Sequence, residues 1–82
     1  MSRLWYVDCP ACDQGRLFVQ RKSGSRALFL ECEECYVAWN HPDHVGRESE
    51  GYLSIDIPSE DATQEDIVAA GWMMYSFHVS QD

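Results

Sequence analysis

The chain has 82 residues, 45% of them hydrophobic, and a formal net charge of −8. A chain this short forms one domain that hides only roughly 60% of the surface its unfolded form exposes, so its core needs help from a metal, a disulfide or a partner. No apolar run approaches the about 18 residues that cross a bilayer, and Asp8 interrupts the N-terminal segment before a signal-like stretch develops, so a cytoplasmic protein without a membrane partner is expected.

In chain order, Leu4 to Asp8 is a short β-prone segment that runs into Cys9-Pro10-Ala11-Cys12, with Gly15 freeing the backbone to turn. Arg16 to Lys22 alternates Leu17 and Val19 against Phe18 and Gln20, and Arg26 to Cys32 alternates Leu28 and Leu30 against Phe29 and Glu31. This is strand periodicity, and Ser23-Gly24-Ser25 is the hairpin tip between the two. The second strand ends in Cys32-Glu33-Glu34-Cys35, and Tyr36 to Trp39 continues as a third extended piece. Residues 40–51 lack an apolar period and read as a surface loop.

Tyr52 to Ile57 alternates strictly up to Pro58, which predicts a half-buried strand with Leu53, Ile55 and Ile57 inward. Thr63 with Asp66 resembles a capping box ahead of Ile67-Val68-Ala69-Ala70, and Gly71 stops a short helix there. A last strand follows over Trp72 to Val79, with Met73, Tyr75, Phe77 and Val79 taken as its core face. The fold class expected is α+β, mostly β, in one domain over 1–82: a hairpin with an antiparallel sheet, extended by an acidic β-α-β portion over 48–82.

Two Cys-x2-Cys pairs, with nineteen residues between them, have the spacing of a four-cysteine zinc site. In each pair a tight turn brings two sulfurs to one side, and the intervening hairpin returns the chain so that Cys9, Cys12, Cys32 and Cys35 surround one structural ion. Because ligands form the site only when the chain folds, ion binding becomes folding free energy. Two disulfides would require an oxidising compartment, and a thioredoxin-like pair needs a helix N-terminus. A rubredoxin-like iron centre uses the same four sulfurs, but Tyr36-Val37 follows Cys35 where such a turn normally has glycine. Four protein ligands leave no open position for an activated water.

His41 and His44 are spaced like metal ligands, yet Pro42 between them reads as turn chemistry. No serine, cysteine or carboxylate stands in a nucleophile or phosphate-loop motif, so catalysis is not expected. Trp5, Trp39 and Trp72 are read as core or core edge. Arg16, Arg21, Lys22 and Arg26 gather around the hairpin tip, where they either contact nucleic acid or protect a sheet edge. All six Lys and Arg residues lie within 1–47, so the whole negative charge belongs to 48–82. Glu48, Glu50, Glu60, Asp61, Glu65 and Asp66 would present it to a basic partner.

Residues 9–35, with Cys-Pro-Ala-Cys-Asp-Gln-Gly and then Cys-Glu-Glu-Cys after a hairpin, resemble the zinc ribbon of transcription factors, ribosomal proteins and many small bacterial proteins. The missing glycine after Cys35 departs from that pattern. The tail, from Ala62-Thr63-Gln64-Glu65-Asp66-Ile67 to Ala70-Gly71-Trp72, is similar to that of small bacterial immunity proteins that neutralise a secreted toxin. The second resemblance implies an inhibitor that covers the basic surface of a nuclease-like toxin with its acidic half. The first implies, as the alternative, a transcription-related or nucleic-acid-binding ribbon that uses its basic hairpin.

Overall fold

Strands dominate because the apolar residues of the first half alternate, and the one segment with a helical cap becomes the one α-helix among the described residues. The computed structural model describes residues 3–80; Asp82, counted in the acidic half, lies outside them. The elements are β1 (Arg3–Asp8), β2 (Arg16–Lys22), β3 (Leu28–Cys32), β4 (Val37–Trp39), β5 (Tyr52–Leu53), β6 (Ser59–Asp61), α1 (Gln64–Ala69) and β7 (His78–Ser80), with 3-10 turns at Pro42–His44 and Glu48–Glu50. Together the strands make a seven-stranded antiparallel sheet, six of them in the order β5-β4-β3-β2-β1-β7 and the seventh, β6, paired with β2 beside β1. No helix among the described residues is long and apolar enough to cross a membrane.

β2 is the hub. It pairs with β3 along most of its length, with β1 through Phe18 and Arg16, and with β6 through Gln20, Arg21 and Lys22. Its alternation divides the sheet into two faces. Leu17 and Val19 join Leu28, Leu30, Trp39, Ile67 and Trp72 in the main core, which α1 and the following turn cover. Phe18 and Phe29 are equally buried but lie on the opposite face, outside that cluster. Lys22 and Ser25 close the hairpin tip, and Gly24 takes the positive φ of 76° that the turn requires.

The segment from Ser54 to Pro58 differs from the sequence expectation. The strand stops at Leu53, Leu53 and Ile55 are 72% and 64% exposed, and Ser54 between them is 1% exposed. The reason is topological. β5 pairs with β4, and β6 with the edge of β2 remote from β3, so the intervening residues must pass β4, β3 and β2 and cannot stay in the sheet. They leave it by a turn in which the Ile57 N–H donates to the Ser54 carbonyl, and the Ser23 N–H holds the far end at the Pro58 carbonyl. Ser54 donates its hydroxyl to Glu31 and its N–H to the Tyr36 carbonyl, so the position that alternation would send to solvent is the anchor.

The helix forms as its cap predicts. Thr63 accepts the Asp66 N–H, Asp66 accepts the Thr63 N–H at 2.9 Å, and Gly71 follows with a φ of 76°. The last strand is shorter than expected, because Trp72 to Tyr75 makes another turn and only His78 to Ser80 pairs with β1. Of the four residues assigned to its core face, Tyr75 and Phe77 pack against the core, whereas Met73 and Val79 are exposed. Trp72, read as core or core edge, is buried and anchors the turn. The turn after Gly71 resets the phase on which the alternation depended.

Candidate metal centre

Cys9 follows the last residue of β1 and Cys32 ends β3, while Cys12 and Cys35 lie in the turns that come next. The Leu17–Cys32 pairing, together with the Glu33 N–H donated to the Arg16 carbonyl at 3.2 Å, sets the second turn beside the first. Both turns close identically. The Asp13 N–H donates to the Cys9 carbonyl at 3.0 Å and the Tyr36 N–H to the Cys32 carbonyl at 3.2 Å. Tyr36 adopts a φ of 62°, so the missing glycine does not alter this turn, and its absence no longer argues against iron.

The four sulfurs lie within 4.8 Å of one another, with Cys9 to Cys35 at 3.8 Å and Cys12 to Cys32 at 3.6 Å. A tetrahedral ion with metal–sulfur bonds of about 2.3 Å needs sulfur–sulfur edges of about 3.8 Å. The pairs match that edge, and all four cysteines are free. The Glu34 and Cys35 N–H groups donate to Cys32 Sγ at 3.3 and 3.4 Å, as backbone donors do around a ligating thiolate. The cluster can therefore hold one metal ion.

The protonation of the metal-free cluster is uneven. Backbone N–H groups of Gln14 and Gly15 pull the Cys12 thiol down to about 7. Burial pushes Cys35 up to about 12 and also raises Cys9. Three nearby sulfurs and little water make further negative charge unfavourable until a cation arrives. Gly15 acts through space rather than through backbone freedom: a Cβ there would lie 2.9 Å from Cys32 Sγ. Nothing in the spacing of Gly15 after Cys12 announces that contact, which reaches across to the second cysteine turn.

The structure disperses the expected basic patch. Arg16 and Arg21 occupy opposite faces of β2 about 17 Å apart. Arg16 pairs with Glu33 at 3.4 Å and lies 5.2 Å from the ring centres of Trp5 and Phe18. Arg21 is held by Glu60 and Asp66, and Arg26 lines a depression together with Glu65. Lys22 stands opposite Ser59.

The acidic residues form two groups, with β2, β3 and β4 between them. Glu60, Asp61, Glu65 and Asp66 surround β6 and α1, and three of them are engaged: Glu60 and Asp66 by Arg21, and Asp61 by Arg3 and Gln20. Glu48 and Glu50 lie beside β5 at the far edge, where Glu50 approaches His44 at 3.9 Å. His41 accepts the Asp43 N–H and sets its ring edge against Trp72 and Tyr75, which is the turn chemistry Pro42 implied. Trp39 is buried, and Trp5 packs against His78 on the opposite face, the rings tilted by 33° with their centres 4.5 Å apart.

β6 had no counterpart in the sequence reading. β6 sets Glu60 opposite Arg21 and Asp61 opposite Gln20, a pairing between residues some forty positions apart that no local pattern announces. Comparison of the chain with protein-family models, with curated proteins and with solved structures gives no match.

Proposed function

We propose that the chain holds one structural zinc ion and acts by protein–protein interaction, as an immunity-type inhibitor that covers the basic surface of a nuclease-like toxin. The observation that carries the binding reading is the fate of the acidic half. Even after Arg3 and Arg21 engage Asp61, Glu60 and Asp66, the carboxylates of Glu48 and Glu65 make no ion pair among the described residues. Zinc is the ion proposed because four thiolates close its tetrahedron and it needs no redox role. An ion of charge +2 on four thiolates takes the chain to about −10, which favours encounter with a basic partner.

The reading is tested with purified protein. Metal analysis should return one zinc per chain, and iron would show as a coloured protein. Products of adjacent genes should include a basic protein that binds this chain, with an association rate that falls steeply as salt rises. If that protein cleaves nucleic acid, the added chain should stop it. Association with every basic partner tried that is indifferent to salt would remove the electrostatic reading.

The nucleic-acid alternative draws on Arg16, Arg21, Lys22 and Arg26. Two of these arginines already serve carboxylates of the same chain, which makes them poor phosphate ligands. Retention on DNA or RNA at physiological salt, lost on neutralising Arg21, Lys22 and Arg26, would favour it.

A further inference from the structure

We infer that the partner docks in the groove between the first cysteine turn and the β5 edge, and that it inserts there an extended segment of alternating apolar and basic residues. The inference rests on the reading of the chain as a binding protein and specifies the surface.

The groove has a volume of about 270 Å³ and is lined by Ala11, Val37, Trp39, Glu48, Tyr52 and Leu53. A second depression of about 280 Å³ shares Ala11, Trp39 and Glu48 and extends it past Pro10. Its floor is fixed. The Trp39 indole N–H donates to the Arg47 carbonyl at 2.9 Å, and a Cβ on Gly51 would come within 3.1 Å of that nitrogen, so bare backbone keeps the indole in place. One wall is β5, an edge strand of the sheet, where an added extended chain finds unpaired backbone groups. Leu53 lies exposed on this edge and lines the groove, and Ile55 is exposed in the turn that follows it.

Charge selects the occupant. Glu48 lines both depressions and makes no ion pair among the described residues, Glu50 lies two residues away, and Cys12 follows Ala11 in the opposite wall. A loaded four-thiolate centre carries a net charge of about −2. Arg47 is the cation nearest in sequence, and it gives its carbonyl to the floor. An apolar trough with anionic walls fits apolar side chains flanked by lysine or arginine. It does not fit a second copy of this chain, which would set Glu48 and Glu50 of each protomer against those of the other.

The test uses the metal-loaded chain and a synthetic probe, a capped peptide of alternating lysine and valine. Its controls are an alternating lysine–serine peptide and an alternating glutamate–valine peptide. Amide and indole N–H resonances are followed by NMR. The lysine–valine peptide should shift the Trp39 indole N–H and the amides of Ala11 and Leu53, and both controls should bind at least about fivefold more weakly. Leu53→Ser and Glu48→Gln alter exposed side chains and should keep the native spectrum while each weakens binding about fivefold.

Equal binding by the lysine–serine peptide, or shifts confined to the Glu65 and Arg26 depression, would overturn the groove and leave the binding-protein reading standing. Self-association of the chain that Leu53→Ser abolishes would also overturn it, in favour of a second copy. A basic toxin that binds well with all groove variants defeats the groove alone, whereas failure of every basic protein and peptide to bind defeats the functional reading as well.

Discussion

Tyr36 repeats at the second cysteine turn the left-handed conformation that Asp13 takes at the first, with φ values of 62° and 56°. The energetic consequence differs, because aspartate visits this region readily and a bulky side chain does not. Tyr36→Asn should leave stability unchanged within about 0.5 kcal/mol or raise it. Tyr36→Val, β-branched, should cost about 1–2 kcal/mol. Denaturant titration of the metal-loaded protein checks this, and equal losses from both variants would show that the tyrosine side chain, not its backbone, is what matters.

Gly15→Ala is expected to damage the metal centre rather than the fold at large. The added methyl would lie 2.9 Å from both Cys32 Sγ and Glu34 Cγ, so the sulfur must move. A displaced ligand should reduce metal affinity about tenfold or more, measured by competition with a chelator. Gly24→Ala is the control. It meets no atom within 4 Å but has a φ of 76°, so it should cost about 1 kcal/mol of stability and leave metal affinity untouched.

Asp66 is held below the usual carboxylate range first by the Thr63 backbone N–H, then by the Thr63 hydroxyl and Arg21. A depressed folded value means that this carboxylate adds stability when ionised, above its unfolded pKa, and that the contribution is lost as pH falls through the folded value. Asp66→Asn should therefore cost about 1 kcal/mol at neutral pH, and the deficit should narrow in acid. Melting curves of both proteins across the acid range test the sign. A deficit that stays constant at low pH would show that charge is not involved.

Ser54→Ala should cost about 1–3 kcal/mol, because it leaves the Glu31 carboxylate without the hydroxyl donor, while the Tyr36 carbonyl keeps the residue 54 N–H. Ile55→Ser, one residue on, should change stability by no more than about 0.5 kcal/mol. That order is the reverse of what alternating hydrophobicity predicts. Thermal denaturation of the pair decides between them.

These two residues show what the chain made readable and what it did not. The β2–β3 hairpin was legible because alternation, a glycine tip and two cysteine pairs all specify the same register, and α1 was legible from Thr63 and Asp66. All of those signals are local. The burial of Ser54 depends on Glu31, more than twenty residues earlier, and on a crossing forced by where β5 and β6 pair. Leu53, Ile55 and Ile57 had the pattern of a buried face because apolar spacing is the same whether a face meets the protein's own core or stands open. Trp72 is core, as its residue type suggests, but Met73 and Val79 are not, because the turn after Gly71 breaks the phase on which their alternation depends. The four sulfurs were the most legible part of the site, whereas the groove beside them joins residues from three separate stretches of chain and left no contiguous trace.

The hub position of β2 orders events during synthesis. At roughly 5–20 residues added per second, about 2–9 s separate the emergence of Cys35 from that of the last residues of β7. In that interval β1, β2, β3 and both cysteine turns are complete, while the margin of β2 that will receive β6 stands open with Arg21 on it. A nascent chain thus has its four cysteines in place before the second half arrives, and the late arrival of Glu60 and Asp66 seals an edge that would otherwise invite pairing with a neighbouring chain.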